Sequence, residues 1–133
     1  MSALPAIDTT SPQALRDAWH ALTAQNRLRI RDAAHKLGVS EAQLLATGVG
    51  EHVVRLTGDV RDLMMRMGEL GHVMALTRNE AAVHEKDGSY TNISHGDQVG
   101  LVLGEDIDLR LFYDKWAFAY AVEERVGTET RRS

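Results

Sequence analysis

The hydrophobic repeat of this chain changes near His72, and that change limits the folds open to it. Before His72, apolar residues recur every three or four positions, as in Leu15, Trp19 and Leu22, which is typical of helices. After His72 they alternate with polar residues, as in the segment DIDLRLFYDKW. Helices followed by strands with short connections predict an α+β fold, with short N-terminal helices packed on an antiparallel β-meander sheet.

Capping signals predict four short helices. Ser11 followed by Pro12 is typical of a helix start, and Gly38 is typical of a helix end. Ser40 and Gln43 have the spacing of a capping box. The four predicted helices cover 12–24, 30–37, 40–48 and 60–67.

Period-two alternation predicts the strands that follow. The pair Asp87-Gly88 stands between two alternating runs and predicts the turn of a β-hairpin. His84 and Thr91 would then face each other across that hairpin. The predicted strands cover 52–56, 73–78, 81–86, 89–94, 98–103, 106–113 and 116–124.

Composition excludes several classes of function. The 133 residues are 44% hydrophobic and 26% charged, which predicts one folded module over 1–133. A net charge of -4 argues against general binding to nucleic acid or anionic membranes, and the lack of cysteine excludes thiolate metal sites and cysteine nucleophiles. The segment MSALPAIDTT lacks a signal-peptide pattern, and no apolar run approaches the roughly 20 residues of a membrane span. We therefore expect a cytoplasmic protein without membrane insertion.

Arg78 is the unexpected residue of the first long strand. Alternation along a strand places it on the same face as Met74 and Leu76, so one cation lies among apolar neighbours. One interpretation is a surface arginine that pairs with Glu80 or Glu85, an interaction of about 0–1 kcal/mol. The other is a binding site that uses its permanently charged, forked donor.

Three blocks of the sequence together resemble a known family. They are RIRDAAHKLGVSEAQLLATG, RLTGDVRDLMMRMGELGHVMALTRNEAAVHEKDGSYTNI and VGLVLGEDIDLRLFYDKWAFAYAVEE. They resemble the first of the two tandem repeats in the HemS/ChuS haem-utilisation family, the hemin-degrading factors. The resemblance implies a bacterial cytoplasmic protein that binds haem for iron uptake and, in some members, opens the ring reductively to release iron.

The resemblance also implies roles for two residues. Arg78 matches the arginine that faces haem on the distal side, opposite the axial histidine. His84 lies inside the same matched block and is the second haem-binding candidate. Its neighbours Glu80 and Glu85 leave open a hydrogen-bonded structural histidine instead.

The chain departs from the family pattern in two ways. The axial histidine of the family belongs to the second repeat, and this single repeat has Asn26 in the corresponding neighbourhood. The chain also ends at TETRRS where relatives continue, which leaves truncation at the C-terminus open. Because one repeat stands where relatives use two, we expect a homo-oligomer, most simply a dimer.

Three functions stay open from the sequence. The first is haem binding with haem-oxygenase-like degradation. The second is haem carriage without chemistry, as in the related single-module ChuX-type carriers, which form dimers. The third is an interaction module that binds no haem and acts only by pairing with another chain.

Overall fold

The structure is a computed structural model that describes residues 7–133. Residues 1–6, part of the segment MSALPAIDTT on which the signal-peptide prediction rests, lie outside the described residues. The described chain is α+β, as predicted. Its helices are α1 Pro12–Gln25, α2 Ile30–Leu37, α3 Glu41–Ala46 and α4 Val60–Met65, with short 3₁₀ segments at Met67–Leu70 and Tyr113–Lys115. Its strands are β1 Val53–Leu56, β2 His72–Arg78, β3 Val83–Ser89, β4 Ile93–His95, β5 Val99–Leu103, β6 Asp108–Phe112, β7 Ala119–Val126 and β8 Glu129–Arg132.

The predicted helix caps are confirmed. The Ser40 hydroxyl accepts the Gln43 backbone N–H at 3.1 Å, and the Gln43 side chain accepts the Ser40 backbone N–H at 2.8 Å, which completes the capping box. At α4, Asp59 accepts the Arg61 backbone N–H at 2.9 Å. Hydrogen bonds from the Arg61 side chain and backbone lower the pKa of Asp59 to about 2.

The chain forms two compact units, and the first combines its two ends. Within the described residues, this unit comprises 7–56 together with Phe118–Ser133. Helices α1, α2 and α3 pack around a buried cluster of small and branched side chains, Leu15, Ala33, Ala34 and Leu44. Its strands form an antiparallel sheet in the order β1-β7-β8.

The second unit, Thr57–Ala117, contains Arg78. It has two antiparallel sheets, a β2-β3 hairpin and a three-stranded sheet in the order β4-β5-β6. Its core consists of Met64, Ala75, Val102, Ile107 and Tyr113. The alternation predicted for 106–113 is confirmed, because Ile107 and Tyr113 are buried and Asp108 and Arg110 are exposed.

The predicted hairpin turn at Asp87-Gly88 is wrong. Both residues lie inside β3, and the hairpin turns instead at 79–82. Gly88 is buried against Asp106 of the same chain. A Cβ at position 88 would lie 2.7 Å from the Cβ of Asp106, so a larger residue does not fit there. His84 is therefore opposite Thr77, and not opposite Thr91 as predicted.

The strand boundaries follow from that shift. The predicted strands 81–86 and 89–94 are replaced by β3 and the short β4. The predicted strands at 52–56, 73–78, 98–103, 106–113 and 116–124 are confirmed as β1, β2, β5, β6 and β7 with small changes at their ends. Strand β8 was not predicted.

None of the helices between residues 7 and 133 combines the length and the apolar character that crossing a bilayer requires.

Candidate functional site

The β2-β3 hairpin places Arg78 at its tip. Arg78 is the last residue of β2, and the antiparallel register sets it directly opposite Val83, the first residue of β3. The four-residue turn between them is closed by Asn79. Its side-chain oxygen accepts the backbone N–H groups of Ala81 and Ala82, each at 2.9 Å. Its own backbone N–H donates to the Ala82 carbonyl at 3.0 Å.

The two faces of this hairpin differ in burial. Residues paired directly across an antiparallel ladder share a face, and alternate residues of one strand face opposite ways. On one face Ala75 is buried in the core, and Val73 packs against it. The opposite face, here called the outer face, is exposed. It consists of His72, Met74, Leu76 and Arg78 of β2 and of Val83, Glu85, Asp87 and Ser89 of β3.

The outer face is apolar near its tip. Met74 is 53% exposed, Leu76 44% and Val83 60%. Arg78 lies among these apolar side chains on a face that the core of its unit does not cover. The three apolar side chains leave contact area for a ligand. An exposed apolar strip next to a fixed cation is typical of a binding surface.

Charge on the outer face is unevenly distributed. Arg78 lies at the tip, whereas Glu85 and Asp87 are opposite Leu76 and Met74 along β3. His72 lies at the far end of the strand, about 20 Å from Arg78 at the rise of an extended chain. The β3 carboxylates repel an anionic group on this face and the Arg78 guanidinium attracts one, while Glu80 in the turn adds a negative charge near the tip.

Arg78 and His84 lie near each other but leave the hairpin on opposite faces. Both line a shallow depression at the hairpin tip with a volume of about 220 Å³, together with Thr77, Asn79 and Ala82. The register pairs His84 with Thr77, on the face of Ala75, whereas Arg78 belongs to the outer face. Pockets that enclose a small-molecule ligand usually measure about 300–1,000 Å³, so this depression can hold only one edge of a larger ligand.

The histidines give no preassembled metal site. All six are exposed, at positions 20, 35, 52, 72, 84 and 95. No group of three or more histidine, aspartate or glutamate side chains within residues 7–133 is arranged to hold a metal ion. Asn26, which stands in the neighbourhood of the family's axial histidine, is the C-terminal cap of α1, and its backbone N–H donates to the Leu22 carbonyl.

The sequence did not reveal two residues of this site. Asn79 was missed because no glycine or proline marks its turn, although an asparagine directly after a strand can close a turn through its side chain. Val83 was missed because the predicted strands 73–78 and 81–86 leave a connection of two residues, whereas the observed turn of four residues sets Arg78 opposite Val83.

The comparisons with known proteins point to one family. Residues 38–133 match the family model of the "Haemin-degrading HemS.ChuX domain". The chain is 40% identical over 104 residues to the hemin transport protein HemS of Yersinia enterocolitica, a match that covers 77% of this chain and 30% of that protein. The hemin transport protein HmuS of Yersinia pestis matches to the same extent.

Solved structures give the same result. Holo-PhuS, a heme-binding protein from Pseudomonas aeruginosa, is 46% identical with a TM-score of 0.88, covering 92% of this chain and 36% of that one. The heme degrading enzyme ChuS of Escherichia coli O157:H7 is 31% identical with a TM-score of 0.85, covering 92% and 37%. The chain thus spans about a third of the length of these relatives.

Proposed function

This chain belongs to the haemin-degrading HemS/ChuX family, and on that premise we propose that it binds haem on the outer face of the β2-β3 hairpin. The observation that carries the proposal is the exposed apolar strip of Met74, Leu76 and Val83, with Arg78 at its end. A planar apolar ligand that lies on this face would bury part of all three side chains.

The chemistry of haem fits this face. The porphyrin ring is a broad apolar plane that can lie on Met74 and Leu76, and its edge carries two carboxylates. The Arg78 guanidinium can donate to a propionate or to a ligand of the iron through its planar fork of N–H groups. The carboxylates of Glu85 and Asp87 disfavour propionates along β3, so we infer that the propionates point toward the tip.

The proposal also covers the cellular role of the protein and the fate of the bound haem. We infer that the protein serves haem-iron utilisation in the bacterial cytoplasm, in line with relatives described as hemin transport and heme-binding proteins. Reductive degradation of haem is a second candidate, favoured by the relative described as a heme degrading enzyme. Carriage without chemistry is its alternative. Ascorbate and oxygen distinguish them, since degradation abolishes the Soret band of the complex and carriage preserves it.

Titration with hemin tests the binding proposal. We expect the chain to give a saturable Soret band. Arg78→Ala should weaken binding by about 1.5–3 kcal/mol, the range for a charge-assisted hydrogen bond, or change the spectrum of the complex. Arg78→Lys should rescue only part of the loss, because lysine keeps the charge without the planar fork. Arg110→Ala is the matched control, since Arg110 is also an exposed strand arginine but belongs to the β4-β5-β6 sheet.

The outcomes of that titration distinguish between haem binding, haem binding away from the hairpin tip, and no haem binding. If the wild-type chain gives no Soret band at stoichiometric hemin, the haem-binding proposal is wrong, and the interaction module that binds no haem is favoured. If Arg78→Ala and Arg110→Ala bind hemin as the wild type does, haem does not use the tip of the hairpin. Far-UV circular dichroism of each variant confirms that the fold is retained.

We also propose that the protein is a homodimer. The hairpin depression of about 220 Å³ leaves most of a haem uncovered, and a second copy would supply another apolar surface. Light scattering at tens of micromolar protein, with and without hemin, should give twice the chain mass of 14.7 kDa. A monomer under both conditions would contradict this part of the proposal.

A further inference from the structure

The turn of the β2-β3 hairpin has a single common turn former, Asn79. Its four residues, Asn79, Glu80, Ala81 and Ala82, include neither glycine nor proline. None of them has a positive φ, the conformation that two-residue hairpin turns require. Without a glycine or proline, the conformation of this turn depends strongly on side-chain hydrogen bonds.

The Asn79 side chain supplies hydrogen bonds that favour one conformation of the turn. Its oxygen accepts two successive N–H groups, those of Ala81 and Ala82, at 2.9 Å each. A side-chain carbonyl in this position mimics the backbone acceptor of a tight turn. With the Asn79 N–H bonded to the Ala82 carbonyl at 3.0 Å, three hydrogen bonds from one residue hold the turn closed.

The register of the site depends on this closure. Asn79 directly follows Arg78, and the turn sets Arg78 opposite Val83. Slippage by one residue would move Arg78 to the face that packs on the core. A loosened turn would let the end of β2 fray, and haem binding would then have to order the Arg78 backbone and side chain.

We propose that Asn79 is a positioning residue for haem, which holds Arg78 on the outer face by closing the β2-β3 turn. This inference rests on the proposed haem function. Asn79 needs no contact with haem for this role, because it acts through Arg78.

A double-mutant cycle tests the inference in the full chain. Asn79→Ala removes the side-chain acceptor, and it should weaken hemin binding about three- to tenfold, as expected for the loss of about one net hydrogen bond. Asn79→Asp keeps an oxygen in the same place and should bind within about twofold of the wild type. In the Arg78→Ala background, Asn79→Ala should have no further effect on hemin affinity.

Three results would overturn the inference. The first is wild-type hemin affinity in Asn79→Ala, and the second is an equal loss of affinity with and without Arg78, which would mean that Asn79 acts on its own. The third is failure of Asn79→Asp to restore affinity at both low and high salt, where the added charge is screened. If the wild-type chain itself binds no hemin, the proposed function fails and this inference fails with it. If the wild type and Asn79→Ala bind equally, the inference alone fails.

Discussion

Replacing Met74 and Leu76 together by threonine removes the apolar strip of the outer face while keeping good strand formers in β2. The two side chains are 53% and 44% exposed, so about half of each is available to a ligand. Complete burial of such a side chain contributes about 1.5–3 kcal/mol, and half of that from each residue gives about 1.5–3 kcal/mol for the pair. Because threonine keeps one methyl group, the expected loss is about 1–2 kcal/mol, or about 5- to 30-fold in Kd.

Hemin titration monitored at the Soret band measures this loss. Leu103→Thr is the matched control, because Leu103 is 46% exposed in the β4-β5-β6 sheet. It removes a similar exposed side chain outside the proposed site, and it should leave the Kd unchanged. Equal affinity in the wild type and the double variant, with circular dichroism intact, would refute haem contact with this face. An equal loss in Leu103→Thr would show that the effect is not specific to the hairpin.

Two further predictions concern stability. A Cβ at Gly100 would meet the hydroxyl of Tyr113, so Gly100→Ala should lower the free energy of unfolding by about 1–3 kcal/mol. Adding Tyr113→Phe should recover part of that loss. Unchanged stability of Gly100→Ala in urea would contradict this packing. The Arg61 side chain holds the pKa of Asp59 near 2, below its usual 3.8, so the ionised carboxylate stabilises the fold above about pH 4 and this contribution is lost as the pH falls through about 2. Asp59→Asn should therefore reduce the loss of stability between about pH 5 and pH 2, and an unchanged acid dependence of urea unfolding would show that Asp59 contributes nothing.

The helices and most strands were predictable because their signals are local. Ser40 and Gln43 are three residues apart, and each bonds the other's backbone, so the sequence contains the whole capping box. The alternation of 106–113 likewise reports burial directly, since a strand with one face on a core repeats every two residues.

The hairpin turn was not predictable from the same signals. Asp87-Gly88 has the composition of a turn, but Gly88 is required by the close approach of Asp106, which is distant in sequence. The real turn has one turn former, Asn79, and its strength depends on side-chain hydrogen bonds rather than on backbone preference. Long-range packing therefore decided between the two candidate turns.

The residues of the proposed haem site were predicted only in part. The strand pattern placed Arg78 with Met74 and Leu76, and the structure has all three on one face. The pattern did not indicate that this face is exposed, because apolar alternation alone does not distinguish a core face from a binding face. The correct register was needed to separate His84 from Arg78, and haem contact by either residue stays a prediction.

The most direct test of the central claim is the pattern of NMR line broadening when paramagnetic hemin is added to the isotope-labelled chain. We expect broadening of amide signals from the outer face of β2 and β3, strongest near Leu76, Arg78 and Val83. A diamagnetic zinc porphyrin should shift the same signals without broadening them. Broadening centred elsewhere, or none at saturating hemin, would contradict haem binding on this hairpin.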